Sequence, residues 1–387
     1  MLLHLLIFLS ALLVVSFSIP SIIYVAFKKR LFDMPSEERK IHKKIIPNLG
    51  GIAIFTGFLF STSLFIKSTL LPEAGVILAS GIILFVIGLK DDLVGMSPVK
   101  KLLAQIIAAM LVAVLADIRI RSMHGLLGLN DFSYPVSVGL TVLVIVAVVN
   151  AFNLVDGIDG LAGSLGVVVS LTYSLLFYLM GDMGWSYMAI AMAGSLIGFL
   201  IYNVSPAKIF MGDTGSLLVG MISAVLSVQF IDLSNVHTIQ AFGLGIHSSP
   251  ALVMAILIIP LFDTTRVFTL RILNSESPFK ADRNHLHHRL IDLKLSHSIC
   301  AFILVGVNLL FISLALAFQH IGTMELLLVL SFFAVFFNST LTILLNKRKK
   351  KDLIVQDAKH TADSLATDPK EEKEKFVESI LERIAKN

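Results

Sequence analysis

The run Asn150-Ala-Phe-Asn153-Leu-Val-Asp156-Gly-Ile-Asp159-Gly closes an apolar stretch long enough to cross a bilayer. It sets two carboxylates and two carboxamides beside hydrocarbon. Charge is costly there, so the cluster points to bound cations or a polar substrate. Asn150, Asn153 and Asp156 recur every three residues and share one stripe if helical. A helix C-cap would account for Gly157 and Gly160. It would not account for a stripe of Asn and Asp entering an apolar run.

Three further clusters have the same character. Lys90-Asp91-Asp92 is followed by Ser97-Pro98 and Lys100-Lys101. Ser97 and Pro98 read as the N-cap and first residue of a helix. That helix N-terminus and Lys101 would form an anion site facing the acidic pair. Acid beside base suits a magnesium–phosphate site, because Mg²⁺ takes few carboxylates and shares phosphate oxygens. Met211-Gly-Asp213-Thr-Gly-Ser216 reads either as a helix cap at Asp213 or Thr214 or as a carboxylate offered to a metal. The last cluster runs from Asp263 and Arg266 through Arg271, Lys280 and Arg283 to His285-Leu-His287-His288-Arg289. No Cys or HExxH pattern supports zinc here. Basic residues with histidines suit a polyanionic substrate.

The elements that must carry these clusters are apolar helices. The chain has 387 residues, 56% hydrophobic and only 15% charged, with a mean hydropathy of +0.86. Ordinary soluble domains are about 25% charged. Uniformly apolar runs exclude the alternation of a membrane β-barrel. The single cysteine, Cys300, excludes an intramolecular disulfide. The fold class is therefore all-α, a polytopic membrane protein of about eleven transmembrane helices. The runs lie near 2–27, 49–66, 72–89, 100–117, 134–151, 160–180, 185–203, 214–231, 249–270, 298–318 and 322–345.

With the N-terminus outside, 28 of the 31 Lys and Arg fall on the cytoplasmic side, leaving Lys67, Arg119 and Arg121. This satisfies the positive-inside rule, so the C-terminus is cytoplasmic. All four clusters then face the cytoplasm. The chain divides into a membrane domain, 1–346, and a cytoplasmic tail, 347–387, that starts with five consecutive basic residues. Residues 352–369 read as a flexible linker. An amphipathic helix is expected over about 370–386.

The four clusters, in this order and on one face, resemble the polyprenyl-phosphate N-acetylhexosamine-1-phosphate transferases (glycosyltransferase 4 family). The resemblance covers about residues 20–345. It rests on Asp91-Asp92 with Ser97-Pro98 and Lys101, on Asn150 to Gly160, on Met211 to Ser216, and on His285-Leu-His287-His288. Lys40-Ile-His42 and Pro47-Asn48-Leu-Gly50-Gly51 look like the family's entry into its second span. Asn48 stands where that family often has Arg.

The resemblance implies transfer of a sugar 1-phosphate from a UDP-sugar to undecaprenyl phosphate, with release of UMP, at the cytoplasmic face of the bacterial inner membrane. It implies Mg²⁺ or Mn²⁺, with Asp213 as a metal ligand and Asp91 or Asp92 as a second ligand or a base. Asp92 is the second ligand carried forward. Lys101, Asn150, Asn153, Arg271 and Arg283 are the implied substrate-binding residues. Asp91, Asp92, Asp156, Asp159, His285, His287 and His288 are the implied catalytic ones. The split histidine motif resembles the UDP-GlcNAc branch. The muramoyl-pentapeptide branch typically carries three consecutive histidines. The expected partners are UDP-GlcNAc, undecaprenyl phosphate, the bilayer and a second copy of the chain, with no nucleic acid. A transporter is the competing class, but it would need polar residues at mid-span rather than at helix ends.

Overall fold

The computed structural model describes residues 1–31, 46–123, 125–128, 130–234, 246–276 and 284–364. Thirteen α-helices follow one another among these residues. They are α1 (Leu2–Lys29), α2 (Gly50–Phe65), α3 (Ala74–Val94), α4 (Pro98–Met110), α5 (Tyr134–Val155), α6 (Leu161–Met180), α7 (Met183–Asn203), α8 (Gly212–Leu233), α9 (Ser249–Ile256), α10 (Ile258–Leu273), α11 (Leu286–Asp292), α12 (His297–Ala317) and α13 (Thr323–Ser364). No strand occurs among the described residues beyond a single bridge between Ser122 and Asp131. A chain in lipid must pair its backbone polar groups internally, and helices do so within one segment.

Each of the eleven apolar runs is helical. Nine helices are long and apolar enough to span, or ten if the α9–α10 pair is one span. α2 is shorter, at 16 residues. The ninth run is broken at Leu257, where α10 turns 79° away from α9. α13 does not stop at the membrane. It continues to Ser364, so 352–364 is helix rather than the expected linker. The reason is local: no Gly or Pro interrupts the chain between Gly322 and Pro369. Arg283, Lys40, His42 and the expected helix over about 370–386 lie outside the described residues.

α8 is the centre of the bundle. In its apolar window 83% of residues are buried, against 22% for α1. α5, α3 and α2 pack around it, while α1 packs on α7 and α2 at the periphery. Leu13, Phe17, Leu143, Phe302 and Phe332 are exposed on the outer helices. They are the apolar surface that lipid covers.

The first turn of α8 is wedged between α2 and α3. A Cβ on Gly88 would stand 2.6 Å from the Thr214 Cα. A Cβ on Gly51 would collide with the Gly215 nitrogen and stand 2.6 Å from the Thr214 carbonyl carbon. Both neighbours are backbone and cannot move aside. Gly88 and Gly51 therefore let three helices meet at the spot where Asp213 emerges.

At the opposite end of the bundle, Arg119 pairs with Asp117, and Arg121 pairs with Asp117 and Asp232. These two arginines are exceptions to the inside rule. Their partner carboxylates neutralise them.

Gly51→Ala or Gly88→Ala should lose about 1–3 kcal/mol through overpacking, seen as a lowered melting temperature in detergent. Gly139→Ala, where an added Cβ meets nothing within 4 Å, should leave melting unchanged.

Candidate active site

α3 ends in Asp91 and Asp92, and α4 begins at the predicted Ser97 N-cap with Pro98 at its first position. The two carboxylates face different neighbours. Asp92 turns to α8 and accepts from the backbone N–H of Asp213 (2.8 Å) and of Thr214 (2.9 Å). The Thr214 hydroxyl also donates to it at 2.5 Å. Both Asp92 oxygens are thus engaged at a helix N-terminus, where the dipole favours an anion. The residue expected as a base or metal ligand instead orders the helix that carries Asp213.

Asp91 faces Lys101, at 3.3 Å. The same Lys101 ammonium donates to Asn153 Oδ1 at 3.3 Å and to Asp213 Oδ2. Asn153 Nδ2 donates to Asp213 Oδ1 at 2.7 Å and to Ser216 Oγ at 2.9 Å. Lys101 therefore ties together α3, α4, α5 and α8.

The predicted stripe on α5 separates in the structure. Asn150 lies one turn deeper and exchanges hydrogen bonds with buried Gln105, 2.7 Å in one direction and 3.4 Å in the other. It serves the α4–α5 contact and does not line the cavity. Asp156 is the C-cap of α5 and leaves the helical path. It keeps partial access to the cavity. Enclosure by the surrounding protein pushes its carboxyl up to about 7, and the Asp213 and Asp92 carboxylates add to the shift.

Asp159 is buried in the next turn. One oxygen accepts from the Ala207 N–H at 3.2 Å, and the other faces His297 Nδ1 at 3.4 Å. Asn203 braces the same turn. Its oxygen accepts from Gly160 N–H at 2.9 Å, and its amide donates to the Ile209 carbonyl at 2.9 Å. The loop so held pairs with the entry to α2. Gly50 N–H donates to Phe210 O, and Gly51 N–H to Met211 O, each at 2.9 Å.

These parts enclose a cavity of about 370 Å³, within the size range of small-ligand sites. Asn153, Asp156, Asp159, Asp213, Asn48 and His297 are among the residues that line it, and Asp92 also reaches it.

The histidine segment supports this cavity from behind. Asp263 on α10 is buried. Its carboxylate meets His285 Nδ1 at 3.0 Å and accepts from Leu286 N–H at 2.8 Å. The His287 ring stacks on His285, with centroids 5.7 Å apart, and lies directly on Gly157, where any Cβ would strike it. Burial pushes the His287 imidazole down to about 3, so it is neutral at pH 7. Its Nε2 has no hydrogen-bond partner among the described residues. Arg289 donates to Asn338 and Thr342, both at 2.5 Å, and anchors α11 to α13. His285, His287, His288 and Arg271 do not line the cavity; Arg271 is buried in α10 over the Phe268 ring.

Asn203 and His297 stand in none of the four sequence clusters, and Asp263 opens the fourth without a partner marked for it. No spacing rule marks them, because each acts on a partner at least 22 residues away. The donor set suits a hard divalent cation: oxygens of Asp213, Asn153, Asp91 and Asp156, with no sulfur. Among the described residues no three acidic, His or Cys side chains converge as a complete metal cage. The Lys101 ammonium already sits among three of these oxygens as a cation.

A family profile described as glycosyl transferase family 4 matches residues 74–231. That stretch holds the Asp91–Lys101, Asn150–Asp159 and Asp213–Ser216 clusters. The chain is 33% identical over 310 residues to the probable undecaprenyl-phosphate N-acetylglucosaminyl 1-phosphate transferase of Bacillus subtilis (strain 168), covering 79% of this chain and 82% of that one. It is 31% identical over 282 residues to the decaprenyl-phosphate N-acetylglucosaminephosphotransferase of Mycobacterium tuberculosis (strain ATCC 25618 / H37Rv), covering 67% and 69%. It is 31% identical over 273 residues to the undecaprenyl-phosphate alpha-N-acetylglucosaminyl 1-phosphate transferase of Yersinia pestis, covering 68% and 70%.

Two substitutions test this geometry. Asp92→Asn should lower thermal stability by about 1–3 kcal/mol, because an amide N–H₂ would face backbone donors. Gly157→Ala should abolish turnover while the protein still extracts and runs as a folded species on size exclusion.

Proposed function

The chain belongs to glycosyl transferase family 4, and on that ground we propose that it transfers N-acetylglucosamine 1-phosphate from UDP-GlcNAc to undecaprenyl phosphate. The observation that carries this reading is the Lys101 knot with Asp91, Asn153 and Asp213 beside a polar cavity at one end of an apolar bundle. A membrane-embedded acceptor and a water-soluble nucleotide sugar can meet only at such an end. The names of the relatives supply the lipid phosphate acceptor and the N-acetylglucosaminyl 1-phosphate group. By the charge asymmetry of the loops, this end faces the cytoplasm of the bacterial inner membrane.

In the reaction, an oxygen of the lipid phosphate bonds to the donor phosphorus that bears the sugar. The bond from that phosphorus to the bridging oxygen breaks, and UMP leaves with the electron pair. The products are UMP and undecaprenyl-diphosphate-GlcNAc, and the step opens a cell-envelope glycan. The lipid phosphate has a second pKa near 6, so near pH 7 it attacks without a strong base. Both Asp92 oxygens are hydrogen-bonded, which favours direct attack over an Asp92 phospho-enzyme. Phosphoryl transfer then depends on positioning and charge neutralisation. Lys101 neutralises donor phosphate charge, and Asn153 holds the Asp213 carboxylate in register. A bound Mg²⁺ or Mn²⁺, held by Asp213 with Asp156 or Asp91, would supply further neutralisation of the diphosphate.

Purified protein should release UMP from UDP-GlcNAc only when undecaprenyl phosphate and Mg²⁺ are both present, and EDTA should stop it. UDP-GalNAc and UDP-MurNAc-pentapeptide should give no labelled lipid. Absence of UMP release under these conditions would sink the assignment. Lys101→Ala should lower kcat by about 10²–10³, and Asp213→Ala should abolish turnover in a protein that still folds.

A further inference from the structure

We propose that His247 and His320 form a two-imidazole site for a transition-metal ion such as Zn²⁺, at the end of the bundle remote from the cavity. The metal clasps the start of α9 to the turn between α12 and α13.

α12 leads from the cavity to this site. His297, its first residue, lines the cavity. The helix runs for 21 residues to Ala317, a span of about 30 Å. A short 3₁₀ turn, Gln319–Ile321, follows and carries His320. His247 stands just before α9. Both residues are exposed. Their rings meet with centroids 5.3 Å apart and planes tilted by 46°. That tilt is neither parallel stacking nor edge-to-face, the arrangements that aromatic contact favours. The separation matches a shared metal. With Zn–N bonds of about 2.0–2.1 Å, two imidazoles on one tetrahedral ion have ring centroids about 5 Å apart.

The neighbouring residues hold that separation. Ser248 and Gln319 are buried, at 0% and 1% exposure. Ser248 N–H donates to Gln319 Oε1 at 2.9 Å, and the Ser248 hydroxyl donates to the Gln319 carbonyl at 3.4 Å. Gln319 Nε2 donates to the Ala315 carbonyl at 2.7 Å. Each histidine therefore extends from backbone pinned beside that of the other. Ligands held this way need little further ordering when they bind.

The donor type selects the ion. Imidazole nitrogen suits Zn²⁺, Cu²⁺ and Ni²⁺, whereas Mg²⁺ and Ca²⁺ take oxygen. Among the described residues no third His, Cys, Asp or Glu joins the pair, which leaves the other coordination positions to water. The site differs from the oxygen-lined cavity in both chemistry and place. α9 is the first half of the broken span whose second half, α10, carries Asp263. A metal at its start fixes that half against α12 and α13.

The test titrates tag-free, full-length, detergent-purified protein with Zn²⁺ by calorimetry, in excess Mg²⁺ to compete for oxygen donors. Zn²⁺ should bind and raise the melting temperature, because it binds the folded state. His247→Ala and His320→Ala should each weaken that binding by about a hundredfold or more, since even an outer partner of a metal ligand is worth about 10–100-fold. Without Zn²⁺ each variant should melt with the wild type, because both side chains are exposed, and added Zn²⁺ should raise neither. Substoichiometric Cu²⁺ on the wild-type protein should give an electron paramagnetic resonance spectrum coupled to two nitrogens, an arm that needs no variant. Zn²⁺ affinity unchanged in either variant overturns the proposal, as does a Cu²⁺ spectrum with one nitrogen or none. A wild-type melting temperature that Zn²⁺ does not move overturns the clasp.

Discussion

The site depends on one carboxylate placed against one helix end. α8 is the most enclosed helix of the bundle, and its first-turn N–H groups have no intrahelical acceptor. Left bare in apolar surroundings they would cost several kcal/mol. Asp92 accepts from two of them and from the Thr214 hydroxyl. That contact sets the axial position and rotation of α8 and so the direction in which Asp213 leaves it. Gly51 and Gly88 make the contact possible by letting backbone approach backbone.

From that anchor the charges organise themselves. Asp213 is aimed at Lys101 and Asn153, and Asp91 closes the same knot. Two acids sharing one ammonium leave the knot net negative, a setting that attracts a divalent cation. On the function proposed above, a bound divalent cation and the ammonium would together offset a diphosphate donor and a phosphate acceptor. The paired Arg119 and Arg121 at the opposite end show the contrasting case. There the carboxylates satisfy the arginines.

The histidine segment is fixed by partners on three other elements. Asp263 grips its start, Arg289 ties it to α13, and His287 lies neutral on Gly157. A neutral ring packed on a glycine props the Asp156–Asp159 turn. The break at Leu257 turns α10 toward this segment, and so puts Asp263 where it can hold His285.

The apolar periodicity of the runs, their caps and the side on which basic residues gather were all legible in the chain, since each is a local property or a sum over loops. So were the four polar clusters, because polar residues at the ends of apolar helices stand out against composition. The family resemblance followed from their order. The division of labour within the clusters was not legible. Asp91 and Asp92 are adjacent and chemically identical, yet one faces Lys101 and the other caps α8, because successive helical residues point about 100° apart. Asn150 and Asn153 share a stripe, but Gln105 claims the first and Asp213 the second. The roles of Asn203, Asp263 and His297 rest on partners far along the chain. Such contacts are chosen by how helices cross, which no local rule encodes. The sequence by itself determined which residues could do chemistry and at which end of the bundle. Only the tertiary structure decided which of them face the cavity and which hold the others in place, since a buried hydrogen bond needs a partner at 3 Å and only packing brings one there.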